Sequence, residues 1–143
     1  RILSSARSYR PDARIAGVLV SEHVAGGIEM LAGVQVDPLF GPGLLVGLGG
    51  IFVEVLGDSA LRLLPVGPEQ ARAMVEELRA YAILRGMRGR PPADIDALVG
   101  ALVGLGQLAA ALGPRLVAID INPLVVRAAG EGAVALDALI ELR

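Results

Sequence analysis

Between residues 15 and 65 the apolar side chains fall in short runs, each cut by glycine, proline or a polar turn before it reaches the length of a helix. Val18-Leu19-Val20 sits in the first run, residues 15–24. The next covers 28–36, then come Leu44-Leu45-Val46, Ile51-Phe52-Val53-Glu54-Val55, and 60–64, which stops at Pro65. Runs of this length bounded by turn residues read as strands. Gly26-Gly27 tolerates positive φ and predicts a turn that sets 15–24 antiparallel to 28–36.

The period changes after Pro68. Ala71, Met74, Val75 and Leu78 share one helical face, and Glu69, Arg72, Glu76 and Arg79 mostly occupy the other. Residues 86–92, Gly-Met-Arg-Gly-Arg-Pro-Pro, predict a loop, and Ala93 or Asp94 opens a helix that ends near Leu112 before Gly113-Pro114. The last stretch predicts a strand through Ile119-Asp120-Ile121, a hairpin at Ala129-Gly130, a return strand through Val134 to Asp137, and a short helix or tail. At the start, residues 3–9 read as a helix closed by Arg10-Pro11-Asp12. The pattern is α/β of the α+β type, a mostly antiparallel sheet flanked by helices.

Composition narrows the chemistry. A net charge of −2 disfavours nucleic acid, and 3% aromatic residues provide no stacking platform for single strands or sugars. With 54% hydrophobic residues in 143, the chain has ample core and is not disordered. No cysteine and no lysine are present, which excludes thiolate chemistry, a Schiff base and a P-loop lysine from this segment. A start at Arg1 with no apolar leader leads us to expect a piece of a longer cytoplasmic polypeptide. Residues 97–114 are uncharged and contain Gly100-x-x-x-Gly104, a spacing also used by helices in lipid. The run barely reaches spanning length and carries Gln107, and its Leu98, Leu102, Leu105 and Leu112 stripe fits a helix packed on a sheet, so no membrane is expected.

Asn122 and Asp137 are the first candidate site. If Ala129-Gly130 is a two-residue turn, residue i pairs with residue 259 minus i, which sets Asn122 opposite Asp137 with both side chains on one face. Two such oxygen donors suit Mg²⁺, although Asp120, Asn122 and Pro123 equally suit the end of an edge strand, and Gly130 and Gly132 allow different turn registers. The glycines at 41, 43, 47, 49 and 50 lack the GxGxxG order and read as turns or bulges rather than a dinucleotide site. Glu22 and Glu29 could accept hydrogen bonds from a ligand or be solvated charges. His23, the one histidine, fits a structural or surface role. Arg62, Arg88 and Arg90 are candidate anion ligands or surface charges.

Taken in order, Gly17-Val-Leu-Val-Ser-Glu22-His-Val, Glu29-Met-Leu-Ala-Gly33, Asp37-Pro-Leu-Phe-Gly-Pro42, Gly47-Leu-Gly-Gly-Ile-Phe-Val-Glu-Val55, Arg62 before Pro65, Gly86-Met-Arg-Gly89 and Asp120-Ile-Asn-Pro-Leu124 carry a resemblance across almost the whole chain. They resemble the ATP-grasp domain of NDP-forming acyl-CoA synthetases, relatives of the succinyl-CoA synthetase beta subunit. The resemblance implies the larger C-terminal lobe of an ATP-grasp fold over residues 1–143, with its hinge strand, and a small lobe upstream. It implies adenine contacts at Ser21, Glu22, His23 and Val24, a ribose contact at Glu29, and Mg²⁺ on Asn122 and Asp137 with Asp120 nearby. Where relatives often show Gln-Glu-Met-Val, this chain has Ser21-Glu22-His23-Val24, which shortens the polar side chain before the hinge acid.

The implied cofactors are ATP or ADP and Mg²⁺. The implied reaction joins a carboxylic acid to CoA with release of ADP and phosphate, through an acyl phosphate and a phosphohistidine. Acid, CoA and the phosphohistidine belong to other domains, and the segment alone is expected to be inactive. The same domain also occurs fused to protein acetyltransferases, which makes a non-catalytic regulatory module the alternative.

Overall fold

The structure is a computed structural model that describes residues 1–50, 57–87 and 89–143. The strand expected at 51–55 and the side chain of Arg88 lie outside the described residues. Among the described residues six strands form one sheet: β1 (Ile28–Asp37), β2 (Gly41–Leu48), β3 (Ser59–Leu63), β4 (Leu116–Val126), β5 (Ala133–Ala135) and β6 (Ala138–Leu142). Their order is β3-β2-β1-β4-β5, with β6 also on β4, and every pairing is antiparallel. Among the same residues the helices are α1 (Ile2–Tyr9), α2 (Pro68–Glu76), the short α3 (Tyr81–Leu84) and α4 (Ile95–Leu112), the last followed by a 3₁₀ turn, Gly113–Arg115.

Alternation along the central strands decides which face is covered. Met30, Ala32 and Val34 of β1 oppose Leu48, Val46 and Leu44 of β2, and on the other side Leu124, Ile121 and Ile119 of β4. These side chains form one apolar cluster with Ala71, Met74 and Val75 of α2 and Leu98, Leu102 and Leu105 of α4. Each fully buried leucine of that cluster contributes roughly 1.5–3 kcal/mol. These helices thus cover one face of the sheet, and Glu29 and Asp120, which alternate with core residues, are exposed on the other; between Ile121 and Leu124 a bulge interrupts the alternation, with Asn122 and Pro123 standing opposite Leu31 alone.

The second helix follows its predicted pattern: Pro68 occupies the first turn, and Gly67 N–H donates to the Gln70 side chain at 3.1 Å. The fourth starts at an Asp94 cap whose Oδ1 accepts the Ala97 N–H at 3.0 Å, and it stops at Gly113, φ +56°. Among the described residues the stretch Ile95–Arg115 is the one long and apolar enough to cross a membrane, with mean hydropathy 1.8. In this fold Leu98 and Leu102 of that stretch are 0% exposed in the shared core.

Two expectations are corrected. Residues 15–24 form no strand and do not pair with β1, because both edges of β1 are already taken by β2 and β4. Gly26 and Gly27, φ +76° and +87°, lead the chain into β1 without closing a hairpin, and Leu19 is 92% exposed. The chain end is a strand, β6, not a helix or tail. The eleven residues of β4 outrun the three of β5, so its remaining edge is free to pair with residues 138–142.

Candidate functional site

The β4 hairpin builds the open face. Glu131 N–H donates to Ala128 O at 2.9 Å, so Ala129-Gly130 is the two-residue centre of the turn, with Gly130 at φ +83°. From there the pairs Val126 with Ala133, Leu124 with Ala135, Ile121 with Ala138 and Ala118 with Glu141 all keep the predicted sum. Between β5 and β6, Leu136 N–H donates to Pro123 O at 3.0 Å and Asn122 N–H to Asp137 O at 3.3 Å. Asn122 therefore lies opposite Asp137, as the sequence register predicted, and both are exposed.

Asp120 precedes Asn122 by two residues on the same strand and faces Gly33 of β1 across the ladder. A Cβ at Gly33 would stand 2.5 Å from Ile119 O, which explains why the strand under this acid carries glycine. Glu29, also on the uncovered side, pairs with Val125 of β4. Its Oε2 is 3.1 Å from where a Gly50 Cβ would be, and its carbonyl accepts the Gly49 N–H at 2.8 Å. The glycine-rich stretch thus makes a close backbone approach beside Glu29 at Gly49, where a Cβ would meet the Glu29 backbone at 2.9 Å. Asp58, just before β3, accepts the Arg79 and Ala80 N–H groups at 2.9 and 2.7 Å.

Ser21, Glu22, His23 and Val24 lie in the connecting segment before β1 rather than on the sheet. One contact ties them to the hairpin: Glu22 Oε1 is 4.0 Å from Arg127 Nη2. Next to it a cleft of about 440 Å³ is lined by Gly26, Gly27, Arg90, Arg127 and Glu131 over an apolar floor of Ile28 and Val126. A second, apolar cavity of about 450 Å³ lies between α4 and the β1–β2 end, around Leu64, Ala109 and Leu116. Glu29, Asp120, Asn122 and Asp137 line neither. They sit on an open surface.

Arg62 does not face that surface. Its guanidinium hydrogen-bonds Glu77 after α2, so here it is an ion-pair partner on the helix side. Among the described residues no three His, Cys, Asp or Glu side chains gather as a metal cluster. The oxygen pair of Asn122 and Asp137 nonetheless fits a hard cation that takes one or two protein ligands and completes its shell with phosphate and water.

Sequence reasoning gave Asp94 only a role at the helix start. Its Oδ2 also accepts the Gly130 and Gly132 N–H groups at 3.0 and 2.9 Å, and these bonds, with that of Ala97 foremost, hold its carboxyl below the usual range. The cap was readable from local sequence; a partner 36 residues away leaves no local signal.

The sequence profile of the ATP-grasp domain family matches residues 1–142. The chain is 46% identical over 142 residues to the Pyrococcus furiosus protein named acetate–CoA ligase [ADP-forming] II subunit beta, covering 99% of this chain and 60% of that one. It is 38% identical to the 4-hydroxybutyrate–CoA ligase [ADP-forming] of Nitrosopumilus maritimus, covering 99% of this chain and 20% of the relative. A Pyrococcus horikoshii crystal structure superposes with a TM-score of 0.84 at 45% identity, covering 99% of this chain and 60% of that one. A Ca. Korarchaeum cryptofilum dinucleotide-forming acetyl-coenzyme A synthetase, solved with coenzyme A and Mg-AMPPCP, superposes with a TM-score of 0.77 at 36% identity, covering 84% of this chain and 55% of that one. The chain thus spans about 60% of the length of its subunit-beta relative and a fifth of the longer ligase. With its antiparallel sheet, open acidic face and matching profile, the chain belongs to the ATP-grasp domain family.

Proposed function

We propose that this chain is the larger, C-terminal lobe of an ATP-grasp unit and serves as the nucleotide-binding part of an ADP-forming acyl-CoA ligase. The observation that carries the reading is the register that sets Asn122 opposite Asp137, both exposed, two residues along β4 from Asp120. In this reading the backbone of Ser21, His23 and Val24 and the Glu22 carboxylate hold adenine, Glu29 accepts from the ribose hydroxyls, and Asn122 and Asp137 hold Mg²⁺. When bound, the ion neutralises charge on the phosphates. Asp120 adds an acid at the edge of the same site.

Phosphoryl transfer asks little covalent chemistry of a protein, so catalysis by these groups is positioning and electrostatics. The whole reaction would take a carboxylic acid, CoA and ATP to acyl-CoA, ADP and phosphate, with the acid and CoA held outside this lobe. The names of the relatives at 38–46% identity support the acyl-CoA ligase class. The test is ADP release by the full-length polypeptide with a panel of acids and CoA. ADP that appears only when both acid and CoA are present is expected. Mg-ATP binding without acid- and CoA-dependent ADP would overturn the ligase reading.

A further inference from the structure

We propose that Asp94 is a positioning residue that locks the register of the β4–β5 hairpin and so keeps Asn122 opposite Asp137. The proposal rests on reading that pair as the metal site. Left to itself the turn is ambiguous: Gly130 and Gly132 both have φ +83°, and a turn built around either would shift the return strand. A slip of one residue would place Leu136 or Ala138 opposite Asn122 in place of Asp137, and the oxygen pair would be lost. Against its hairpin partners β4 keeps one register from the turn to residue 118, although on its other edge the ladder with β1 shifts where Asn122 and Pro123 stand opposite Leu31; what fixes the turn therefore fixes which residue lies opposite Asn122.

The contacts that fix it converge on one segment. Asp94 Oδ2 takes the N–H of Gly130 and of Gly132 together, at 3.0 and 2.9 Å. The Asp94 N–H donates to Arg127 O at 2.8 Å, the Ala129 N–H donates to Pro92 O at 2.9 Å, and Ala93 bridges to Ala128. In a turn slipped by one residue, the two positions facing Oδ2 would pass to non-glycine residues, Ala129 and Glu131 or Glu131 and Ala133, at a φ that costs them strain. Oδ1 meanwhile caps α4 through Ala97, and α4 is anchored in the core by Leu98 and Leu102. The turn is thereby referenced to a helix packed in the core.

Asp94→Asn and Asp94→Ser in the full-length polypeptide both keep an oxygen for the helix cap but remove the second carboxylate oxygen from the hairpin. Calorimetry would measure Mg²⁺ affinity in the presence of ADP, metal-free ADP affinity, and the melting temperature. Mg²⁺ affinity should fall on the order of tenfold, the low end of what outer partners of metal ligands cost, with metal-free ADP binding unchanged. A lower melting temperature with unchanged Mg²⁺ affinity would overturn the lock and leave Asp94 a structural cap. So would failure of both variants to fold, because the core does not include this hairpin turn. Asn122→Ala and Asp137→Ala separate the two claims: if they lose Mg²⁺ affinity and the Asp94 variants do not, the lock alone falls. If none of the four does, the metal reading falls with it.

Discussion

Alanine at Gly33 and alanine at Gly104 are the same chemical change with opposite predicted signs. A Cβ at Gly33 would lie 2.5 Å from Ile119 O, about 0.8 Å inside a close carbon–oxygen contact. The obstacle is backbone of the neighbouring central strand, so no rotamer change relieves it, and the cost should be about 3 kcal/mol, the upper end for overpacking. At Gly104, inside α4 and exposed, a Cβ meets nothing within 4 Å. There alanine should stabilise by about 1 kcal/mol through helix propensity and a less free unfolded chain, worth about 4 °C in melting temperature at this size. Urea unfolding followed by circular dichroism, with an unchanged slope, reads both. A neutral Gly33→Ala would refute the close approach of β1 and β4. A destabilising Gly104→Ala would mean that the small-residue face of α4 packs against something, as the lipid reading of Gly100 and Gly104 requires.

Other consequences are simpler to state. Asp94 and Asp37 have folded pKa values held below their ordinary 3.8 by backbone N–H donors, so their contribution is present above pH 4 and lost as pH falls toward the folded values; acid titration of stability should show that loss, reduced in Asp94→Asn. Leu102→Ala, at a site with 0% exposure, should cost roughly 2–5 kcal/mol in the same urea assay, and a cost below about 1 would contradict its place in the core. Arg62→Ala should leave nucleotide affinity unchanged and cost less than about 1 kcal/mol, because its partner is Glu77 in a half-exposed ion pair; a loss of ATP affinity would put it in the site.

Local chemistry made most of the fold legible. Strands β1, β2 and β3, the Pro68 helix and the Asp94 helix follow directly from apolar spacing and from proline and glycine stops. The hairpin register was readable too, because Ala129-Gly130 is the turn centre and the sum of 259 holds from the turn to residue 118 of β4. The failures share a cause. Residues 15–24 have strand composition, but strand composition does not say which edge is free, and both edges of β1 are occupied. The last five strand residues were unreadable for the opposite reason: their partner is an unfilled edge of β4 made available by the shortness of β5. In the candidate site, the open face of Glu29 and Asp120 follows from alternation, whereas the bulge at Asn122-Pro123, the Glu22–Arg127 contact and the Asp94 bonds to the hairpin depend on tertiary proximity.

The most direct test of the account is calorimetric ADP and ATP binding by the full-length polypeptide with and without Mg²⁺, alongside Asn122→Ala and Asp137→Ala. The account predicts Mg²⁺-dependent binding that both substitutions remove while the proteins stay folded. Binding that ignores both substitutions would contradict the placement of the metal on this hairpin, and no binding by the folded parent would contradict a working nucleotide site altogether.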